Sequence, residues 1–151
     1  MIQERLKELG LVLPEPPKPV ASYLPSQKDG KQIFTSGQLP TISGNLSFRG
    51  RFGENITVEK GKELARIAVL NALSSLLLHI PDLDSVSAIV KLGAYIASSP
   101  DFTEQHLVAN GASDLLLDIF GEQGRHARFA VGVPSLPLGA PLEIELLVSI
   151  K

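Results

Sequence analysis

The stretch RFAVGVPSLPLGAPLEIELLVSI, residues 128–150, decides the fold of this chain. Two strand-like runs, 128–133 and 142–150, flank a connection rich in proline, which can neither continue a helix nor donate to a sheet ladder. In the second run every other residue from Leu142 to Ile150 is apolar, whereas the other face carries Glu143 and Glu145 before turning to Leu147 and Ser149, which predicts one buried face. We expect the two runs to be neighbouring strands. Arg128 at the head of one strand and the carboxylates of the other then predict either a binding site or a plain salt bridge.

Size, charge and residue types exclude several classes of function. At 151 residues the chain fits one domain, residues 1–151. Its formal net charge is -2 with both signs interspersed, so it offers no basic stripe for phosphates, and nucleic acid is not an expected partner. The absence of cysteine excludes disulfides, thiolate ligands and a cysteine nucleophile. No metal site is expected, because His79, His106 and His126 are scattered and are interpreted as a helix-end cap and two surface residues.

The N-terminal segment, residues 1–19, predicts a short helix followed by an extended arm. Residues 2–9 have the apolar spacing of a helix that ends before Gly10. Four prolines between positions 14 and 19 exclude helix and central strand, so this part is expected to lie over the domain formed by residues 20–151. No window of about 18 uncharged apolar residues and no apolar signal core are present, which predicts a cytoplasmic protein without membrane contact.

The remaining residues alternate between strand and helix patterns. A hairpin is predicted from residues 20–27 and 32–36 around a turn at Gly30. The later elements are predicted as a short strand near 46–48, a long helix over 57–80, a long strand over 86–97, a helix over 104–120 and the two final strands. Gly111 interrupts the second long helix and predicts close packing or a kink there.

This order of elements predicts an α+β fold, in which one mixed β-sheet carries two long helices on the same face. The other face then has no cover from its own chain. Because the chain is 44% hydrophobic and only 20% charged, we expect apolar residues on that face to be buried in an oligomer.

Four segments carry a resemblance to a known family: FTSGQLP (34–40), Asn71 in the long helix, RFAVGVPSLP (128–137) and EIE (143–145). In this order and spacing they resemble the Rid family, the reactive intermediate deaminases, also called YjgF-type or endoribonuclease L-PSP-like proteins. The match covers residues 20–150. The resemblance implies a chorismate-mutase-like fold assembled as a homotrimer, with three ligand clefts between neighbouring subunits.

The resemblance also implies a chemistry: hydrolysis of enamines and imines derived from amino acids to 2-keto acids and ammonia, without a cofactor. Arg128 matches the arginine that clamps the substrate carboxylate, for which a planar guanidinium is well suited. Glu143 matches the glutamate that holds or activates the attacking water, a general-base role favoured by a raised pKa. The remaining positions that the resemblance assigns to substrate binding are Tyr23, Ser36, Gly37 and Ala130.

Three features depart from the family pattern. Phe129 stands where a small polar residue is usual, and its side chain is expected on the opposite face. Ala130 replaces a frequent cysteine and is expected to act through its backbone N–H. Residues 110–120 and 124–127 differ from the archetypal deaminases and resemble a separate branch, which also carries the N-terminal helix and proline arm.

Three functions remain to be weighed. The first is the imine and enamine hydrolase. The second is a non-catalytic protein that binds or senses a 2-keto acid or related small carboxylate in the same cleft. The third, a ribonuclease, has little support because a basic groove and a histidine pair for phosphate chemistry are missing. Each candidate also has a structural interpretation: a salt bridge for Arg128 and Glu143, a half-buried aromatic for Tyr23, a strand end for Ser36.

Overall fold

Three α-helices and seven β-strands organise residues 1–19 and 21–151, which the computed structural model describes. The helices are α1 (Ile2–Glu8), α2 (Val58–Leu76) and α3 (Gln105–Phe120). The strands are β1 (Ser26–Asp29), β2 (Gln32–Thr35), β3 (Thr41–Ile42), β4 (Asn45–Leu46), β5 (Val86–Ala97), β6 (Ala127–Val133) and β7 (Leu142–Ile150). No helix among these residues is long and apolar enough to cross a lipid bilayer.

The main sheet has five strands in the order β1, β2, β7, β5, β6. Only β5 and β6 are parallel, and the other pairs are antiparallel. The expectation that the two final strands are neighbours is therefore wrong, because β5 lies between them. α3 carries the chain back over the sheet, so β6 runs parallel to β5 at the free edge. The proline-rich connection then passes the end of β5, where Ala97 N–H donates to the Pro141 carbonyl at 2.9 Å.

Both long helices pack on one face of this sheet, as the order of elements predicted. α2 begins after Thr57, whose side chain accepts a hydrogen bond from Lys60 N–H at 3.1 Å. Alternate β7 side chains from Leu142 to Ile150 are buried on this face. The two helices touch closely at Gly111, where a Cβ would collide with the Lys62 backbone. Close packing, the first of the two predicted reasons for this glycine, is confirmed.

The opposite face of the sheet carries partly exposed apolar side chains. Phe34 and Val131 are 45% and 42% exposed, and Leu147 and Phe129 are half-buried. Phe129 lies on this face, as expected, because its ring contacts Tyr95 across the sheet at 5.3 Å between centroids. Within the described part of the chain, no helix covers this face. It is therefore available to another molecule.

Element boundaries differ from the sequence prediction by more than one residue in three places. The hairpin's first strand begins at Ser26, whereas a strand was expected from Val20, which lies outside the described residues. α2 ends at Leu76 and not at residue 80, because the next residues tighten into turns with i to i+3 hydrogen bonds. The short strand predicted near 46–48 is instead the two-residue pairing of β3 with β4.

Candidate functional site

Arg128 lies on the edge strand β6, and its side chain turns toward α3 on the helix-covered face. Its Nη1 donates to Asn110 Oδ1 at 2.9 Å and to Ser113 Oγ at 3.1 Å. Its Nη2 donates to the His106 carbonyl oxygen at 3.3 Å. All three acceptors are neutral. Among the residues that the structure describes, no carboxylate forms an ion pair with the Arg128 guanidinium.

His126 is half-buried and lies on the far side of Ser113 from Arg128. Its Nδ1 is 2.6 Å from the Gly124 carbonyl oxygen and its Nε2 is 2.8 Å from Ser113 Oγ. A carbonyl can only accept, so Nδ1 carries the proton of the neutral ring and Nε2 accepts from the serine hydroxyl. Ser113 therefore joins His126 to Arg128.

Glu143 lies on the opposite, uncovered face of the sheet, near the start of β7. Its carboxyl group packs against the backbone of Gly37, where a Cβ would stand only 2.7 Å from the glutamate Cδ. Partial burial raises the pKa of Glu143, and the neighbouring carboxylate of Glu145 raises it further. A carboxyl group of this kind can exchange a proton nearer to neutral pH than an exposed glutamate can.

Glu145 and two aromatic rings continue this face beside Glu143. Tyr95 pairs with Glu143 across β5 and β7, and its hydroxyl lies 3.4 Å from Glu145 Oε1. Burial raises the pKa of Tyr95, and the charge of Glu145 adds to this effect. The Phe129 ring packs on Tyr95, and Lys91 Nζ stands 5.5 Å from the centre of the Phe129 ring. The face therefore combines acidic groups with an apolar floor.

Tyr23 and Ser36 line a hollow of about 400 Å³ beside Phe34. The Ser36 hydroxyl donates to the Leu24 carbonyl, and its backbone N–H donates to the Pro25 carbonyl at 2.8 Å. Tyr23 is 59% exposed, so the interpretation as a half-buried aromatic is wrong for the isolated chain. The serine ties the segment that carries Tyr23 to the end of β2.

The predicted site residues fall into two groups. Ser36, Gly37 and Glu143 lie together where β2 meets β7, and the next residue, Gln38, exchanges both backbone hydrogen bonds with Ile144. Tyr23 faces the same region across the hollow.

Arg128 and Ala130 form the second group, on the far edge and the helix-covered face. Ala130 packs against the core. A salt bridge between Arg128 and Glu143 is excluded within one chain, because the two side chains lie on opposite faces with β5 between their strands.

Sequence reasoning missed the neutral groups that hold Arg128. The signal was present in α3, where Asn110 and Ser113 are three residues apart and so share one face of a mostly apolar helix. A metal site is not formed by the histidine and acidic residues that the structure describes, since no three of them cluster.

Comparison with known proteins identifies related chains over the whole length. The family model described as "YjgF/chorismate mutase-like, putative endoribonuclease" matches residues 3–149. Protein TCP17 of Trypanosoma cruzi is 43% identical, covering 99% of this chain and 94% of that protein. The crystal structure of Atu1372 from Agrobacterium tumefaciens, a protein of unknown function, is 41% identical with a TM-score of 0.92, covering 99% of this chain and 92% of that one.

A second solved structure agrees closely along both chains. It is from Shewanella oneidensis, is described as a putative endoribonuclease, and is 35% identical with a TM-score of 0.94, covering 99% of each chain. Escherichia coli TdcF with bound serine is 22% identical with a TM-score of 0.63, covering 91% of this chain and 94% of that one, and this likeness shows the fold alone. The predicted chorismate-mutase-like fold is confirmed.

Proposed function

Because the chain belongs to the YjgF/chorismate mutase-like family, we propose that it hydrolyses imines and enamines derived from amino acids to 2-keto acids and ammonia, without a cofactor. The observation that carries the proposal is a guanidinium that pairs with no carboxylate among the residues that the structure describes, together with a partly buried glutamate on a face that none of the described helices covers. The first group suits a substrate carboxylate. The second suits proton transfer to and from water.

The reaction needs one water and two proton transfers. An enamine first tautomerises to the imine, and the oxygen of water then attacks the imine carbon while Glu143 takes one of the water's protons. That proton passes to the nitrogen and gives a carbinolamine. The hydroxyl proton of the carbinolamine then moves to the nitrogen, again through Glu143, so the carbon–nitrogen bond breaks and ammonia leaves as the carbonyl of the keto acid forms. Arg128 holds the substrate carboxylate throughout, so it fixes the carbon within reach of the water. The charges balance without an oxidant or a metal ion.

We further propose that the site is completed between copies of the chain, in a homotrimer. Arg128 lies at the free edge of β6 and Glu143 on the uncovered face, so one chain cannot place both against a small substrate. A neighbouring copy that seats its β6 edge on this face would bring its own Arg128 toward Glu143. The partly exposed Phe34 and Val131 supply apolar surface for such contact.

Ribonuclease activity is not proposed. The endoribonuclease description is attached to the family model and to the relative from Shewanella oneidensis. This chain has 14 lysines and arginines against 16 acidic residues, so a phosphate backbone would meet no net positive surface charge.

The test uses the purified protein and an imine generated in place by an amino acid oxidase. Keto acid and ammonia should form faster than in the protein-free control, and light scattering should give three times the 16.2 kDa mass of the chain. Stabilisation by a keto acid without any turnover would overturn the hydrolase in favour of the non-catalytic binding protein. A stable monomer would overturn the shared site.

Gly37→Ala should lower kcat by roughly 10- to 100-fold, because a displacement of reacting groups by about 1 Å has effects of this size. The new Cβ would collide with the Glu143 side chain, which is flexible enough to move aside. The melting temperature should therefore change little, although the Glu143 carboxyl group is displaced from its position beside residue 37. Turnover and thermal unfolding of the same samples are the measurements.

A double-mutant cycle separates this effect from a general disturbance. If Gly37 acts only through Glu143, adding Gly37→Ala to Glu143→Gln should cost no further activity. Losses that add up in the double variant would show that the glycine matters for another reason.

A further inference from the structure

Arg128 is held by neutral groups that come from a single face of α3. Asn110 Oδ1 and Ser113 Oγ both accept from Nη1, at 2.9 and 3.1 Å, and the His106 carbonyl accepts from Nη2. Residues three and four apart on a helix are neighbours, so these acceptors form one row beside the β6 edge. These contacts fix the orientation of the guanidinium, and its positive charge is not neutralised by an ion pair with any of them.

The hydrogen-bond directions in this row follow from its two ends, since Arg128 can only donate and the Gly124 carbonyl can only accept. Gly124 carbonyl accepts from His126 Nδ1, so the neutral ring accepts the Ser113 proton at Nε2. The lone pairs of Ser113 Oγ then face Arg128. The serine is oriented as an acceptor before any ligand arrives.

The donor count shows what the row leaves for a ligand. An arginine has five N–H groups, and the three contacts described above engage three of them. Nε–H and one N–H of Nη2 remain, which is the number that a carboxylate takes in a bidentate pair. A long side chain that is already ordered loses less entropy on binding, so a held guanidinium binds more tightly than a mobile one.

We propose that Asn110 and Ser113 are positioning residues, which orient Arg128 for the carboxylate of the substrate. The inference rests on the proposed function and adds two residues of α3 to it. Both lie within residues 110–120 of α3, so this chain holds Arg128 from the helix with an amide and a hydroxyl. Neither residue touches the substrate.

Asn110→Ala and Ser113→Ala should each raise KM roughly tenfold with kcat within about twofold, as expected when an interaction that is equal in the ground and transition states is weakened. Ser113→Thr keeps the hydroxyl and should restore most of the affinity. Asp114→Ala is the matched control, since Asp114 is exposed on the same helix and is not among the groups that contact Arg128. It should behave as the wild type.

Asn110→Asp separates positioning from a merely structural contact. The carboxylate keeps the shape of the amide but forms an ion pair with Arg128, so it should preserve or raise the melting temperature while competing with the substrate. We expect a higher KM for Asn110→Asp than for Asn110→Ala. A structural role predicts the reverse order, because the better-folded variant would then bind better.

Further measurements separate a failure of the positioning role from a failure of the proposed function. NMR of the arginine side chain should show slow rotation of the Arg128 guanidinium in the wild type and faster rotation in Asn110→Ala, without any substrate. If Arg128→Ala abolishes keto acid binding but Asn110→Ala and Ser113→Ala bind normally, the positioning role is overturned and the proposed function stands. If the wild type neither binds a keto acid nor hydrolyses imines, both are overturned.

Discussion

Arg128→Ala should lower kcat/KM for imine hydrolysis by about 100- to 1,000-fold. Two charge-assisted hydrogen bonds to a carboxylate, at roughly 1.5–2 kcal/mol each, correspond to about 3–4 kcal/mol of transition-state stabilisation. The loss should appear for every substrate with a carboxylate. Steady-state kinetics of keto acid formation, with circular dichroism to show that the fold is retained, measure it.

The fold should survive because Arg128 is only half-buried and Asn110 and Ser113 can bond to water in its absence. Arg125→Ala is the matched control, since Arg125 lies three residues away, is exposed and pairs with Glu122 at 3.1 Å. Arg128→Lys should recover only part of the activity, because an ammonium lacks the planar fork. Equal activity of Arg128→Ala and wild type would remove Arg128 from the site.

Much of the fold could be predicted because its main elements are long and periodic. β5 matches the predicted range 86–97, and α3 differs from its predicted range by one residue at the start. Twelve alternating strand residues or four helical turns leave little room for another assignment. The ends of α2 and β1 were less well predicted, because local turns and not periodicity decide where an element stops.

The order of strands in the sheet was beyond the sequence pattern. β6 and β7 follow each other in the chain, and consecutive strands are usually neighbours in a sheet. The order is decided instead by α3, which returns the chain so that β6 runs parallel to β5. Which strand takes the centre of a sheet depends on the packing of the whole domain. The local sequence pattern therefore does not predict the strand order.

For the candidate site, the sequence named residues but not their arrangement in space. The motif singled out Arg128, Glu143 and Gly37, and the contact of Gly37 with Glu143 follows from the pairing near β2 and β7. The α3 partners of Arg128 were missed, since an asparagine and a serine in a helix usually face solvent and gain significance only from what lies opposite. The separation of Arg128 from Glu143 followed from the strand order, which was itself mispredicted.

Glu143→Gln should lower kcat by at least about 100-fold, the usual range of a general base, while raising the stability of the folded protein near neutral pH. Glutamine keeps the shape against Gly37 but cannot accept the proton of the attacking water. The stability gain follows from the raised pKa of Glu143, which shows that the folded environment disfavours its charged form. Kinetics and thermal unfolding across pH measure both effects.

The sign of the pH dependence makes this prediction specific. Below the pKa of an unfolded glutamate, the carboxyl is neutral in both states, so wild type and Glu143→Gln should be equally stable. As pH rises through the raised pKa of Glu143, the folded wild type must ionise a partly buried group, and its stability should fall relative to the variant. Activity should follow the opposite course and rise over the same range, since the base must be ionised to act. Glu145→Gln removes the neighbouring charge that contributes to the raised pKa of Glu143. It should therefore move the pH transition of stability and the pH transition of activity to lower pH together. If these two transitions move apart, Glu143 is not the base.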